Sequence, residues 1–162
     1  MQHYVVVLPV KPLSVGEGFP VDQWPLHVTL VPNFHTRSTS AEIEKTIEVA
    51  RPLGLCVRVG AEEMFGGSGS IPANIVLDES GTLTRLHNRL LTTLEERCGL
   101  TLDNPQYFRA GYRPHITVTR AEHAEPGALI YLNQLALVDM QPRGTAGNPT
   151  VVSTMNIDLT SS

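Results

Sequence analysis

Apolar and polar positions follow two different periods along this chain, and the changes of period mark out its elements. "YVVVLPV" (Tyr4 to Val10) is a continuous apolar run of strand length, stopped by Pro9 and Pro12, and predicts a buried strand. The stretch "SVGEGFPVDQWP" reads as a loop, and "HVTLV" then alternates as a second strand. "STSAEIEKTIEVARP" sets a Ser or Thr N-cap before a helical repeat that Pro52 closes, so it predicts the first helix. "LGLCVRVGAEEMF" predicts a strand with a bulge near Gly60. After the loop "GGSGSIP", "ANIVLD" predicts another strand. "SGTLTRLHNRLLTTLEERCG" is the clearest helix, with Leu83, Leu86, Leu90, Leu91 and Leu94 as its apolar stripe and Gly99 as its terminator. "YFRAGYRPHITVTR" reads as a loop entering a strand. "ALIYLNQLALVDM" and "TVVSTMNIDL" supply two more strands around the turn-rich "QPRGTAGNP". Strand, strand, helix, strand, strand, helix and three strands make an α+β pattern with antiparallel sheet. No linker separates independent units, so residues 1–162 are expected to form one domain.

Composition narrows the class. A hydrophobic fraction of 41% with 17% charged residues fits a soluble globular chain. The sequence has no apolar run long enough to span a membrane. The opening "MQHYVVVLPV" is too short for a signal-peptide core and lacks a basic lead, so a cytoplasmic protein is expected, as a monomer. Cys56 and Cys98 show neither CxxC nor zinc-finger spacing and read as small buried apolar residues. The net charge of −4, with no Lys/Arg cluster, disfavours a grip on a long duplex and favours a small nucleotide or an RNA end.

The candidate chemistry lies in a phrase stated twice. "HVTL" (His27 to Leu30) and "HITV" (His115 to Val118) each set a histidine two residues before a threonine in a β-branched strand. Side chains two apart share a face, so His27 with Thr29, and His115 with Thr117, point the same way, backed by Val28, Leu30, Ile116 and Val118. One H-x-T arises readily by chance and fits a half-exposed strand; two copies, one in each half of a matching element order, point to function. If the two strands face one cleft, two imidazoles flank whatever binds there. With an ordinary pKa of about 6.5, one ring can take a proton while the other gives one. Thr29 and Thr117 can donate hydroxyl hydrogen bonds to the non-bridging oxygens of a phosphate. Displacement at phosphorus with a ribose oxygen leaving suits this set, and no ligand chain for a metal is evident.

These two segments, with "PHITV" (Pro114 to Val118) running on to Arg120, resemble the 2H phosphoesterase superfamily, which includes bacterial 2′-5′ RNA ligase-like proteins and cyclic phosphodiesterases. The layout resembles it over essentially the whole chain, while only the two tetrapeptides are specific. The resemblance implies a bilobal, pseudo-duplicated fold of two antiparallel sheets, one main helix per half, around a cleft displaying both motifs. It implies His27 and His115 as the acid–base pair, Thr29 and Thr117 as the phosphate-binding hydroxyls, and no cofactor or metal. Its members act on 2′,3′-cyclic phosphates, ADP-ribose cyclic phosphate, 2′-5′-linked oligonucleotides and cyclic oligonucleotide signals. The first copy departs from the family by continuing "VPNF", and the lead-in loop with Trp24 has no match in it, which puts substrate choice in doubt.

Other features carry less. Trp24, Tyr112 and Arg113 are the candidates for contact with a nucleotide base or phosphate, against a reading as packing residues or a solvated arginine. "GGSG" (Gly66 to Gly69) lacks the helix pair of a KH clamp and reads as a flexible loop. His87, on the leucine stripe, reads as a hydrogen-bonded core histidine; His35 and His123 read as solvated loop positions, and His3 invites no assignment. The expectation is a metal-independent phosphodiesterase. A nuclease for oligonucleotide second messengers, a non-catalytic nucleotide- or RNA-binding module, and a structural domain with coincidental motifs stay open beside it.

Overall fold

The computed structural model describes residues 1–20, 22–66, 69–119, 122–142 and 147–158. Gly67 and Ser68 of the glycine-rich loop, Arg120 after the second motif, and the middle of "QPRGTAGNP" lie outside these residues. The strands are β1 (Gln2–Pro9), β2 (His27–Thr36), β3 (Leu55–Phe65), β4 (Ile71–Leu77), β5 (Thr101–Leu102), β6 (His115–Thr117), β7 (Leu129–Leu132), β8 (Gln134–Asp139) and β9 (Thr150–Asn156). The helices are α1 (Ser40–Ala50) and α2 (Thr82–Cys98), and two single 3-10 turns at Pro105–Tyr107 and Arg109–Gly111 lead into β6.

All strand pairings are antiparallel, in the order β7-β3-β4-β6-β2-β1-β8-β9, with β5 added beside β2. The two expected sheets therefore meet as one curled hydrogen-bonded path. Their seam is the single residue pair Val28–Ile116, the centre of each motif. The chain also crosses between the two sides of this seam from β7 to β8. "ALIYLNQLALVDM", expected as one strand, breaks at Asn133: Leu129–Leu132 pair with β3 at one end of the sheet, and Gln134–Asp139 pair with β1 and β9 near the other. A continuous apolar run cannot distinguish one long strand from two. What separates them is tertiary: the Asn133 carbonyl accepts from Ile157 N–H at 2.9 Å, and the buried Gln134 carboxamide grips Leu13 N–H at 2.7 Å and Leu13 C=O at 2.9 Å.

The helix ends follow local chemistry. Thr39 closes a capping box with Glu42 at the start of α1. Gly81, at the N-cap of α2 with φ +72°, has no side chain to cap with, and Asp78 does so from outside. Its carboxylate accepts from Leu83 N–H at 3.0 Å, Thr84 N–H at 2.9 Å and the Thr84 hydroxyl at 2.7 Å. The bulge in β3 falls between Val59 and Glu62. A Cβ on Gly60 there would meet Ile75 Cγ1 at 2.6 Å, so β4 requires glycine at this position.

Both helices bury their stripes in one core. Leu83, Leu86, Leu90, Leu91 and Leu94 of α2 and Ile43 and Ile47 of α1 pack with Val28, Leu30 and Ile116. Each such side chain stabilises the fold by about 1.5–3 kcal/mol. A second, smaller core lies over Val5, Val7, Ala136, Val138 and Val151, covered by Leu13 and Phe19 of the lead-in loop with Trp24 against it. Of the two cysteines expected to be buried, Cys56 is exposed, because it falls on the outward side of the alternation along β3. Cys98 is half-buried with its Sγ 3.3 Å from the Thr46 hydroxyl.

Candidate active site

The seam of the sheet brings the two motifs together. With Val28 opposite Ile116 in an antiparallel pair, one residue either way sets Thr29 against His115 and His27 against Thr117. Val28 and Ile116 are fully buried behind, and the four polar side chains, each half-buried, occupy the other face. The two histidines are diagonal neighbours, a relation that places the residues roughly 7–8 Å apart with their Cβ atoms somewhat closer.

Both imidazoles are held by one device. His27 Nδ1 lies 2.8 Å from the Pro25 carbonyl, and His115 Nδ1 lies 2.8 Å from the Arg113 carbonyl. In each case the anchor is the main chain two residues earlier. A carbonyl only accepts, so Nδ1 carries the proton and Nε2 is left with its lone pair when the ring is neutral. Among the described residues, neither threonine hydroxyl hydrogen-bonds to another protein group.

The surroundings of the two rings differ. Trp24 lies 5.1 Å from His27 and 5.4 Å from Phe19, centroid to centroid, so the lead-in loop walls in the first ring. Burial pushes the His27 pKa below its usual value; the Pro25 carbonyl opposes this, and the proximity of His115 adds to it. His115 is the more open ring. Phe65 stacks on it at 4.3 Å and 18°, and the Arg113 guanidinium lies 4.8 Å from the Phe65 centroid while pairing with Glu63 at 3.1 Å. Phe65, at the end of β3, is an aromatic near a presumed loop that reads from the sequence as packing, and it lies against a motif ring instead. Its only signal is a position just before a glycine-rich loop, and the pairing that brings it to β6 runs through β4.

Of the weaker candidates, Trp24 and Arg113 stand beside the motif rings. Tyr112 requires a correction. Its ring, expected to offer a face to a base, is buried and lies flat on His87 at 3.9 Å, and its hydroxyl donates to the Thr29 carbonyl at 2.7 Å. Burial raises the Tyr112 pKa far above the ordinary value, so the phenol stays protonated and donating. Tyr112 ties the lead-in to one motif onto the strand of the other. Gly111 is required beside it, because any Cβ there would collide with the Gln106 carbonyl.

His87 is the hydrogen-bonded core histidine the pattern implies. Its Nδ1–H donates to the Leu30 carbonyl at 2.7 Å and its Nε2 accepts from Arg109 N–H at 3.0 Å, with the pKa lowered chiefly by burial. His123 is exposed and pairs with Glu125. His35, expected in a loop, lies in β2, where Phe34 and His35 continue the strand past Pro32 and pair with β5.

No curated protein matches the chain in sequence. In three dimensions it is similar to E. coli LigT complexed with NADP+, at a TM-score of 0.61 and 14% identity over 96% of this chain and 98% of that one. LigT complexed with 3′-AMP gives 0.57 and 15% over 97% and 98%. A crystal structure described as a phosphoesterase gives 0.59 and 17% over 98% and 99%. At these identities the likeness shows a shared fold. The family model described as the 2′-5′ RNA ligase superfamily matches residues 11–141, a span that takes in both motif strands. By that match the chain belongs to the 2′-5′ RNA ligase superfamily, the 2H phosphoesterases.

Proposed function

We propose that this protein is a phosphodiesterase that opens 2′,3′-cyclic phosphates of nucleotides or RNA ends, or cleaves 2′-5′ linkages, by paired-histidine catalysis without a metal. The observation that carries the reading is the matched pair of tethered imidazoles. Each donates from Nδ1 to the carbonyl two residues back, and each shares its sheet face with a threonine. The difference between the rings supports a division of labour. His27, kept neutral by burial, takes the proton of the attacking water at Nε2. As the new P–O bond forms, the bond from phosphorus to the ribose oxygen breaks, and His115 Nε2–H gives that oxygen its proton. Thr29 and Thr117 donate to the non-bridging oxygens, where charge builds up in the transition state. In the reverse direction the two roles exchange. A nucleotide-sized substrate is supported by the related LigT structures, whose bound molecules are 3′-AMP, ATP and NADP+.

The test is turnover with EDTA present of 2′,3′-cyclic nucleotides, ADP-ribose cyclic phosphate, 2′-5′ oligoadenylate and cyclic dinucleotides. Parent, His27→Ala and His115→Ala run side by side, each with its fold verified by circular dichroism. The expected result is cleavage by the parent that falls at least 100-fold in each variant, the lower end of what one acid–base group contributes. Cleavage that survives either substitution would refute paired-histidine catalysis. A folded parent that binds these molecules without turning them over would favour a binding module.

A further inference from the structure

At the end of β2 remote from the motifs, a second cluster of chemistry-bearing side chains has no part in the proposed reaction. His3 of β1 and His35 of β2 are direct cross-strand partners, and their rings stack at 4.1 Å and 12°. Asp103, just after β5, faces both: its Oδ2 lies 3.0 Å from His3 Nε2 and its Oδ1 lies 2.7 Å from His35 Nδ1. One donor atom from each residue falls within 4.8 Å of the other two. We propose that His3, His35 and Asp103 bind a borderline divalent transition-metal ion such as Zn2+, which pins β1, β2 and β5 together.

Donor chemistry and geometry both support this. Two imidazole nitrogens and one carboxylate suit Zn2+ and its neighbours in the first transition row, and do not suit Mg2+ or Ca2+, which take oxygen sets. Ligand atoms about 2.0–2.2 Å from a shared ion stand a little over 3 Å apart; the two carboxylate oxygens lie 3.0 and 2.7 Å from the two rings, and the stacked imidazoles turn out of their parallel arrangement to aim both lone pairs at one ion. The strands fix the arrangement without help from a flexible loop, since register sets the two histidines opposite and Asp103 N–H is held by the Asn33 carbonyl at 3.2 Å.

A second, independent observation points to a ligand. Four buried side-chain nitrogen or oxygen atoms lack a hydrogen-bond partner among the described residues, and three belong to this corner: both ring nitrogens of His3, and Oδ1 of Asn33. His3 Nε2 has the Asp103 carboxylate as its neighbour at 3.0 Å, so the atoms of this corner left with no polar neighbour are His3 Nδ1 and Asn33 Oδ1. A buried imidazole nitrogen that neither donates nor accepts is costly, whereas a lone pair aimed at a cation is satisfied. The carboxylate and the His35 ring keep about a quarter to a third of their side-chain area in water, at 23% and 33%, so an ion has a path in. His35 stands eight residues along β2 from His27, a span of roughly 26 Å. The ion is therefore structural and takes no part at the motif face.

The test uses the full chain with any affinity tag removed, stripped with EDTA and titrated with Co2+ and then Zn2+. The expected results are d–d absorption at one equivalent of Co2+, bleached by Zn2+, and an apparent Tm raised by roughly 5–10 °C at a hundredfold excess of Zn2+ over its Kd. Asp103→Asn and His35→Ala, each folded by circular dichroism, should lose the absorption and the Tm response. His123→Ala, in an exposed pair elsewhere, should keep both. Absence of one-equivalent binding by the parent, or binding that persists in Asp103→Asn and His35→Ala, would overturn the proposal. Because the readouts are spectra and Tm, they stand apart from turnover, which EDTA is expected to leave intact.

Discussion

His87→Phe tests how the motif strand is held. The substitution keeps an aromatic ring against Tyr112 and removes both ring nitrogens. In the parent, the ring bridges the Leu30 carbonyl, next to Thr29, and the Arg109 N–H, at 2.7 and 3.0 Å. His87 and Leu30 are fully buried, so the Leu30 carbonyl finds no water once Nδ1 is gone, whereas Arg109 is exposed and its N–H can turn to solvent. An orphaned buried polar group costs about 1–3 kcal/mol, so the loss should be about 2 kcal/mol. Arg109 adds to the sensitivity, since its φ of +54° is one a non-glycine residue holds only when its surroundings fix it. The assay is urea unfolding with the slope left free. At a slope of about 2 kcal/mol/M, the midpoint should fall by about 1 M. A loss under about 1 kcal/mol with an unchanged slope would show that the two hydrogen bonds do not hold β2, and that His87 is only a space-filling ring.

Three other outcomes follow from the same structure. Asp78→Ala leaves the first turn of α2 without its external cap and should cost about 1–2 kcal/mol by urea unfolding; an unchanged midpoint would mean water replaces the carboxylate. Trp24→Ala opens the wall beside His27, so the ring should titrate closer to its ordinary value of 6.5 when followed by NMR, with the low-pH limb of the rate profile moving up alongside; a further fall would contradict burial as the cause. His27 and His87 both have folded-state pKa values below the unfolded value of 6.5, so below that pH the unfolded chain binds more protons than the folded one. Stability should therefore be full above about pH 6.5 and decline as the pH falls towards the folded-state values; a urea midpoint flat from pH 7.5 to 5 would refute it.

Much of this protein is written locally. The leucine stripe of α2, the Thr39–Glu42 box and the apolar run of β1 each depend on neighbours a few residues away, so periodicity and capping chemistry reveal them directly. The same holds for the two H-x-T strands: alternation alone sets each histidine beside its threonine on one face. It cannot say that the faces coincide, because that depends on Val28 meeting Ile116 across 88 residues of chain. The tether on each Nδ1 lies only two residues back, yet nothing in the residue types announces it.

The remainder belongs to tertiary structure. Asn133 divides an apolar run because two strands at opposite ends of the sheet need it, a demand no window of local sequence contains. Tyr112 looks like a residue for a substrate and is buried instead, since its hydroxyl finds a carbonyl on the other motif's strand. His3, His35 and Asp103 lie far apart in sequence and meet only through the β1–β2–β5 register. By itself the sequence determined the elements, the chemistry-bearing pairs and the family. Long-range pairing decided which of those side chains share a face, which are shielded from water, and where a second cluster forms, because antiparallel register couples residues that no local preference connects.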